Sequence, residues 1–370
     1  MTQSKIYFSN LDGWRFICFL SVFFYHSFHT EKDYILNSSI YKFIKWDLFG
    51  NGNLGVNFFF VLSGFLITYL LISEKDRSSK INLKNFWMRR VLRIWPLFYF
   101  SVFFGFVIFP LLKSLFGQIP NETADLWSYL VFLNNFNFIE KGLPDASILG
   151  VLWSVAIEEQ FYFVWPILLL IIPIKRYWLV FIFVILQSWI FRALKMEYLY
   201  HEFHTLSCIG DMAIGGLGAW LVYTKVGFRN FIINLKTPIV YLLYLIIALL
   251  FLFRDELYSI NSIISVLERS FVAIIFLLII LEQSYSKNSF YKMSNNKIFS
   301  KLGKYTYGMY CLHFIGILIT TTLTSKLGIN TRLWQVLILE TSVALLLTIL
   351  ISRVSWEMFE KHFLKLKNYF

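Results

Sequence analysis

Long apolar runs recur along the whole sequence, and they constrain the fold more than any other feature. Of the 370 residues, 58% are hydrophobic and 15% are charged, which is not the balance of a water-soluble domain. Lipid leaves no water to pair with the backbone, so long and uniformly apolar runs form helices rather than barrel strands. The sequence therefore predicts an all-α, polytopic transmembrane helical bundle of about ten spans. The predicted spans are 14–28, 54–72, 94–116, 155–173, 177–194, 206–223, 237–253, 263–281, 305–324 and 333–352.

The distribution of Lys and Arg sets the predicted orientation, because these residues favour the cytosolic side of a membrane. With a cytosolic N-terminus, most of the 34 Lys and Arg residues fall in cytosolic segments, and the N- and C-termini are both cytoplasmic. Topology then explains the formal net charge of +12, and we expect no nucleic-acid partner. The chain is expected to be a multi-pass protein of the cell (inner) membrane, surrounded by membrane lipid.

The segments between the spans are short, and no repeat or low-complexity tract interrupts them. We therefore expect one membrane domain over residues 1–370, with no appended domain. Cys18, Cys208 and Cys311 all fall in predicted spans, and this odd count matches neither a disulfide framework nor a metal-ligand spacing. No metal site is expected.

The first span carries ionisable residues on one face. Arg15 and His26 are separated by three helical turns plus about 20°, and Asp12 and His29 fall within about 60° of the same line. A rise of about 1.5 Å per residue puts Arg15 and His26 roughly 16 Å apart along the axis. Because ionisable residues in a span are costly unless they face protein or water, this stripe is a candidate functional site.

Each member of the stripe has two interpretations. Arg15, near the cytosolic end, suits a phosphate or another anionic group, and His26 suits proton transfer near neutral pH. Alternatively, Arg15 is a snorkelling anchor and His26 is a buried histidine whose hydrogen bonds are satisfied within the bundle. The shared face favours function, since an elongated substrate fits between the two side chains.

A pair of adjacent carboxylates, Glu158 and Glu159, begins the predicted span 155–173. Their side chains point about 100° apart, so only Glu158 lies on a line with Tyr162 one turn later. The other carboxylate must face an aqueous rim or a cation. Stabilisation by the helix dipole is the alternative, and it explains one of the two more easily than both.

Further polar positions complete the candidate set. Arg90 and Arg93 are i, i+3 neighbours at the cytosolic mouth of the third span, where they suit either a phosphorylated ligand or lipid headgroups. Tyr310 and His313 place a tyrosine and a histidine in the ninth span. Asp211 precedes a glycine run at 215–218, which by itself indicates close helix packing.

Taken together, these segments resemble the acyltransferase-3 family of bacterial membrane O-acyltransferases. Arg15 and His26, with ten residues between them, are similar to the Arg/Lys-x10-His signature of that family. Four further blocks occur in the expected order: 55–67, 89–96, 153–162 and 307–313. The chain departs from the pattern at Asn57, where the family usually has Asp, and at Thr306, where it usually has Ser. It also ends at Phe370 without the SGNH-type domain of some relatives.

The resemblance implies transfer of an acyl group, most often acetyl, from cytosolic acyl-CoA to a hydroxyl of a carbohydrate such as a cell-surface or exported polysaccharide. Acyl-CoA is then a co-substrate, no cofactor is permanently bound, and polysaccharide-assembly proteins are expected partners. In this hypothesis Arg15, Arg90 and Arg93 hold the CoA phosphates. His26 meets the thioester, either as a base or as a covalent relay, and Glu158 orients it or balances its charge. The expected substrate-binding or supporting residues are Asp12, His29, Asn57, Ser63, Tyr162, Asp211, Tyr310 and His313.

Two other functions fit the same sequence. A transporter or flippase of lipid-linked glycans also uses buried charges and small-residue helix packing. A non-catalytic membrane scaffold uses the polar groups only to pair with one another. The scaffold predicts that His26→Ala weakens folding rather than selectively abolishing an activity.

Overall fold

The computed structural model describes residues 7–370, except for the side chain of Asn368. Within this range the chain forms helices and turns, with no β-strand. We number its ten principal helices in chain order: Ser9–Tyr25 (α1), Leu54–Ser78 (α2), Leu83–Phe103 (α3), Trp153–Ile171 (α4), Tyr177–Leu194 (α5), Thr205–Thr224 (α6), Thr237–Ser259 (α7), Ser262–Tyr285 (α8), Thr306–Lys326 (α9) and Thr341–Ser355 (α10).

In the described part of the chain, nine continuous helical segments are long and apolar enough to cross a membrane. Helix α1 has 17 residues, which at about 1.5 Å per residue is roughly 26 Å. That length is close to the ~30 Å hydrocarbon core of a bilayer. The predicted all-α polytopic bundle is confirmed, and each predicted span overlaps one of the ten helices.

The third span begins earlier than the sequence pattern predicts. Its helical segment is Leu83–Leu115 rather than 94–116, because Asn82 caps its first turn by accepting a 3.0 Å hydrogen bond from the Asn85 N–H. A capped helix start does not depend on hydropathy. The first three turns of α3 therefore hold the arginines at one end of the bundle. We call this end, which carries Arg90, Arg93 and Lys304, the basic end; it is the end predicted to be cytosolic.

Glycines allow the central helices to approach closely. A Cβ atom added to Gly64 of α2 would overlap the carbonyl oxygen of Met212, and one added to Gly215 of α6 would overlap that of Val61. These contacts confirm the close packing that the glycine run indicates. Helix α6 thereby lies directly against α2, which also forms one wall of the site.

Helix α1 lies between α2 and the segment that leads into α9. A Cβ atom on Gly55 of α2 would overlap the Cys18 carbonyl oxygen, and one on Gly303 would overlap that of Asp12. The helix ends at Tyr25, and Phe28 then adopts a left-handed φ of 68°. The His26 N–H still bonds the Val22 carbonyl oxygen at 3.2 Å, and the residues after His26 no longer follow the helical phase of Arg15.

Candidate functional site

A cavity of about 140 Å³ lies between α1, α2, α3, α4 and α9. Its polar lining comprises four cations, one carboxylate and six hydroxyl groups: Arg15, Arg90, Arg93, Lys304, Glu158, Ser63, Ser154, Thr306, Tyr162, Tyr307 and Tyr310. Aromatic and aliphatic side chains form the rest of the wall. The cavity therefore combines positive charge with an apolar channel, which suits a long ligand with anionic groups at one end.

The cations at the basic end have unused hydrogen-bonding capacity. Arg15 pairs with the buried Asp12 on the same helix. The Arg90 guanidinium carbon lies 6.0 Å from the ring centroid of Tyr162, while its Nε donates to no partner within residues 7–370. A guanidinium provides five N–H donors in a fork that matches phosphate oxygens. This part of the cavity is thus chemically suited to phosphate groups.

A chain of hydrogen bonds joins α4 to α2 deeper in the cavity. The Tyr162 hydroxyl donates to Ser63 Oγ at 3.1 Å, and Ser63 Oγ donates to Glu158 Oε1 at 2.6 Å. Glu159 points elsewhere and accepts a 2.7 Å hydrogen bond from Trp95 Nε1. As the helical spacing predicts, one carboxylate shares a face with Tyr162 and the other does not.

The cavity closes at Tyr310 and Ser154. The Tyr310 hydroxyl and Ser154 Oγ share a 2.7 Å hydrogen bond, and the Tyr310 hydroxyl also lies 3.1 Å from the Val151 carbonyl oxygen. Beyond Tyr310 lies His313, with 6.2 Å between the ring centroids. We call Ser154, Tyr310 and His313 the partition.

His26 lies on the far side of the partition. Its ring centroid is 5.4 Å from that of His313 and 4.9 Å from that of Phe314, and it does not line the cavity that Arg15 lines. The expectation that Arg15 and His26 share one open cavity is wrong for this structure. The physical reason is that side chains of α9 pack across the stripe between them. Nor does Glu158 contact His26: its carboxylate is bound by Ser63, so it does not orient the imidazole as expected.

His29 does not continue the stripe, because the helix has already ended. It is exposed and lines a second cavity of about 200 Å³, with Ser147, Phe314 and Thr321 among the lining residues. This second cavity lies at the end of the bundle opposite the basic end. His26, in contact with Phe314, therefore stands between the two cavities.

Lys45 holds the backbone next to His26. Its ammonium donates hydrogen bonds to the carbonyl oxygens of Tyr25 at 2.8 Å and Ser27 at 2.7 Å, which are carbonyls left free at the end of α1. Burial lowers the pKa of Lys45 to about 8. The cation thus caps the helix at the turn that carries His26.

Asn57 and Asp211, expected to be substrate-binding or supporting residues, belong to a separate buried ion network. Asn57 Nδ2 donates to Asp211 Oδ2 at 3.2 Å, and Arg269 Nε donates to the same oxygen at 3.0 Å. Arg269 is also 3.6 Å from Glu202, and Glu202 pairs with Arg254. Neither Asn57 nor Asp211 lines the main cavity, because both face the junction of α2, α6 and α8. Of the two expected roles, substrate binding or support, this position fits support of the bundle.

The match to known proteins agrees with this arrangement. The model of the acyltransferase-3 family, described as an acyltransferase domain, matches residues 8–356. The chain belongs to the acyltransferase-3 family. In this acyltransferase-3 protein the cavity is lined by residues from all four of the further sequence blocks named above, together with Arg15 of the first signature.

Three curated relatives show which proteins this chain is similar to. The chain is 36% identical over 177 residues to the peptidoglycan O-acetyltransferase OatA of Listeria monocytogenes. It is 32% identical over 176 residues to the putative peptidoglycan O-acetyltransferase YrhL of Bacillus subtilis, and 34% identical over 185 residues to the putative O-acetyltransferase SACOL0978 of Staphylococcus aureus. The matches cover 45%, 46% and 48% of this chain but only 25%, 25% and 28% of the relatives. No solved structure matches the chain.

The structure adds four polar cavity residues of this acyltransferase-3 protein to those selected from the sequence: Ser154, Lys304, Thr306 and Tyr307. Lys304 lines the cavity beside Arg15 and Arg93, although its position among other loop lysines identified it only as a basic residue. Ser154 bonds Tyr310, although the block at 153–162 drew attention first to its carboxylates. The proximity of Lys304 to the block at 307–313 was the available signal for the lysine.

Proposed function

We propose that this protein is a membrane O-acyltransferase that moves an acetyl group from acyl-CoA to a hydroxyl of a carbohydrate. One observation carries the proposal: a cavity with four cations at the basic end leads through an apolar channel to the partition next to His26. The names of the relatives support an acetyl group and suggest a peptidoglycan-type glycan as the acceptor.

In this proposal the donor lies along the main cavity. Arg15, Arg90, Arg93 and Lys304 bind the CoA phosphates by charge-assisted hydrogen bonds. The pantetheine arm follows the apolar wall, and Glu158 accepts a hydrogen bond from one of its amide N–H groups. The charge of Glu158 also balances the nearby arginines. The thioester then reaches the partition.

His26 performs the transfer step in one of two ways. It either takes the proton from the acceptor hydroxyl or takes the acetyl group as a covalent relay. Both routes require the Tyr310 side chain to leave Ser154, since the partition otherwise keeps the thioester from His26. The acceptor approaches from the opposite end, where His29 and the second cavity lie.

The test uses purified protein in lipid nanodiscs, radiolabelled acetyl-CoA and peptidoglycan fragments as acceptor. Wild type and His362→Ala, which changes an exposed histidine outside the cavity lining, should both transfer label. His26→Ala should lose transfer while keeping its thermal unfolding temperature. Retained transfer by His26→Ala would remove His26 from this role. A well-folded wild type that transfers no label but moves a lipid-linked glycan across liposomes would replace the enzyme with a transporter.

A further inference from the structure

His313 has a buried nitrogen with no partner. Its side chain is 0% exposed, and its Nδ1 lies 2.8 Å from the Tyr310 carbonyl oxygen. A carbonyl only accepts hydrogen bonds, so Nδ1 carries the proton and Nε2 carries a lone pair. Within the described residues Nε2 has no hydrogen-bond partner. An unpaired buried acceptor destabilises the fold, and its retention requires a reason.

The neighbours of His313 indicate what this nitrogen can bind. Three of the rings packed against it are the side chains of Phe19, Phe23 and Phe314, which have no polar hydrogen. The Tyr310 hydroxyl is engaged with Val151 and Ser154. His26 is the remaining ring contact in the described range, and its imidazole carries an N–H group.

The two imidazoles are close enough for a hydrogen bond. Their centroids are 5.4 Å apart and the ring planes differ by 35°. Nitrogens in a hydrogen bond lie about 3 Å apart, a separation these rings reach when one nitrogen of each points along the line between centroids. Rotation of the His26 ring about its terminal side-chain torsion, which is broad for histidine, brings its nitrogen into line.

We propose that His313 is the positioning residue of His26, accepting through Nε2 a hydrogen bond from one imidazole nitrogen so that the other nitrogen faces the reacting groups. This inference rests on the proposed function and assigns the orienting role, expected of Glu158, to a neutral histidine. It is the arrangement by which a base is held in one tautomer by a third group.

The step balances in protons and bonds. The acceptor O–H proton passes to the free nitrogen of His26, the oxygen bonds the thioester carbonyl carbon, and the C–S bond breaks. The CoA thiolate leaves and takes the proton from the His26 imidazolium. Both nitrogens of an imidazolium are donors, so the lone pair on His313 stabilises the charged intermediate form.

The other charged or titratable groups near His26 cannot serve as this acceptor. Lys45 is a cation and uses its ammonium on the carbonyls of Tyr25 and Ser27. His29 is exposed and lines the second cavity. Neither is a carboxylate that could balance a positive charge on His26. His313 is therefore the group placed to accept a hydrogen bond from the protonated nitrogen of His26.

The experiment compares His313→Leu, His313→Gln and the packing control Phe23→Leu in the acetyl-transfer assay. His313→Leu should lower kcat by at least about 100-fold with little change in the KM for acetyl-CoA, and the acid limb of its pH profile should move. His313→Gln keeps an acceptor oxygen, and its kcat should be at least about tenfold above that of His313→Leu. Phe23→Leu removes another ring contact with His313, lines neither cavity and should stay within about threefold of wild type. Equal losses in all three variants, or a loss explained by less folded protein, would overturn the proposal.

A second measurement separates this inference from the proposed function. Histidine ¹⁵N chemical shifts in the labelled full chain, assigned with single His variants, report which nitrogen of His313 is protonated. The inference requires a protonated Nδ1 and an Nε2 that accepts a hydrogen bond, lost in His26→Ala. A protonated Nε2 overturns it whether or not acetyl is transferred. If the ¹⁵N shifts are as expected but the protein transfers no acetyl group, the hydrogen bond between His26 and His313 stands and only the enzyme assignment is refuted.

Discussion

Ser63 on α2 donates a 2.6 Å hydrogen bond to Glu158 on α4, and this contact fixes the carboxylate against the wall of the main cavity. Tyr162 bonds the same serine at 3.1 Å, so a single hydroxyl sets the position of two cavity side chains. The arrangement positions Glu158 towards the ligand rather than towards His26. Loss of this hydrogen bond should therefore affect binding of the acyl-CoA donor more than the position of His26.

Ser63→Ala should slow acetyl transfer about tenfold or more, because a hydrogen bond to a charged group contributes about 1.5–3 kcal/mol and 1.4 kcal/mol is tenfold. The measurement is the rate of label transfer per folded protein. Ser101→Ala is the control, since it also removes a serine hydroxyl from a membrane helix, one that bonds the Leu97 carbonyl of its own helix. A similar fall in both variants would contradict the role of Ser63.

Arg93→Gln and Lys304→Gln should each raise the KM for acetyl-CoA about tenfold through loss of a charge-assisted contact. They should hardly change the KM for acetyl-pantetheine, which lacks the nucleotide phosphates. Arg89→Gln is the control, because Arg89 lies outside the cavity lining and bonds the Phe370 carbonyl. Equal effects on both donors would show that these cations do not bind phosphate.

Lys45 should make part of the stability depend on pH. Burial holds its pKa at about 8, below the ordinary 10.5, so between these values the unfolded chain binds more protons than the folded chain. Stability from this site therefore rises with pH across that window and is lowest below it. The unfolding temperature of wild type, relative to that of Lys45→Met, should rise between pH 7.5 and pH 10. A constant difference would contradict the lowered pKa.

Local spacing predicted the parts of the site that lie within one helix. The i, i+4 relation of Glu158 and Tyr162 places both on the cavity wall, and the i, i+3 relation of Asp12 and Arg15 gives an ion pair. The apolar runs predicted the spans for the same reason, since hydropathy acts along the chain. These features require no knowledge of neighbouring helices.

Contacts between helices were beyond such reasoning. The helical phase of α1, continued past Tyr25, placed His26 on the same face as Arg15. In the structure α1 ends at Tyr25 and the side chain of His313 packs against His26, so the two residues do not meet. The pairing of Asn57 with Asp211 joins residues 154 apart in sequence, and no periodicity in the sequence specifies it. The chemically important residues could thus be selected from the sequence, but the contacts between them could not.

Asn57→Asp should destabilise the protein in a pH-dependent way. Asn57 donates to Asp211, and the network around them already pairs carboxylates with Arg254 and Arg269. The resemblance to the family predicts Asp at position 57, but here a second carboxylate would face the first in a buried site, where like charges repel strongly.

The expected result for Asn57→Asp is an unfolding temperature several degrees below wild type at pH 8, with partial recovery at pH 5.5. Recovery follows because one shared proton removes the repulsion and restores a hydrogen bond between the two side chains. Asn57→Ala is the control: it removes the amide donor without adding charge, leaves Arg269 bound to Asp211, and should show the same loss at both pH values. If Asn57→Asp is as stable as wild type at pH 8, Asn57 is not what keeps this network electrically balanced.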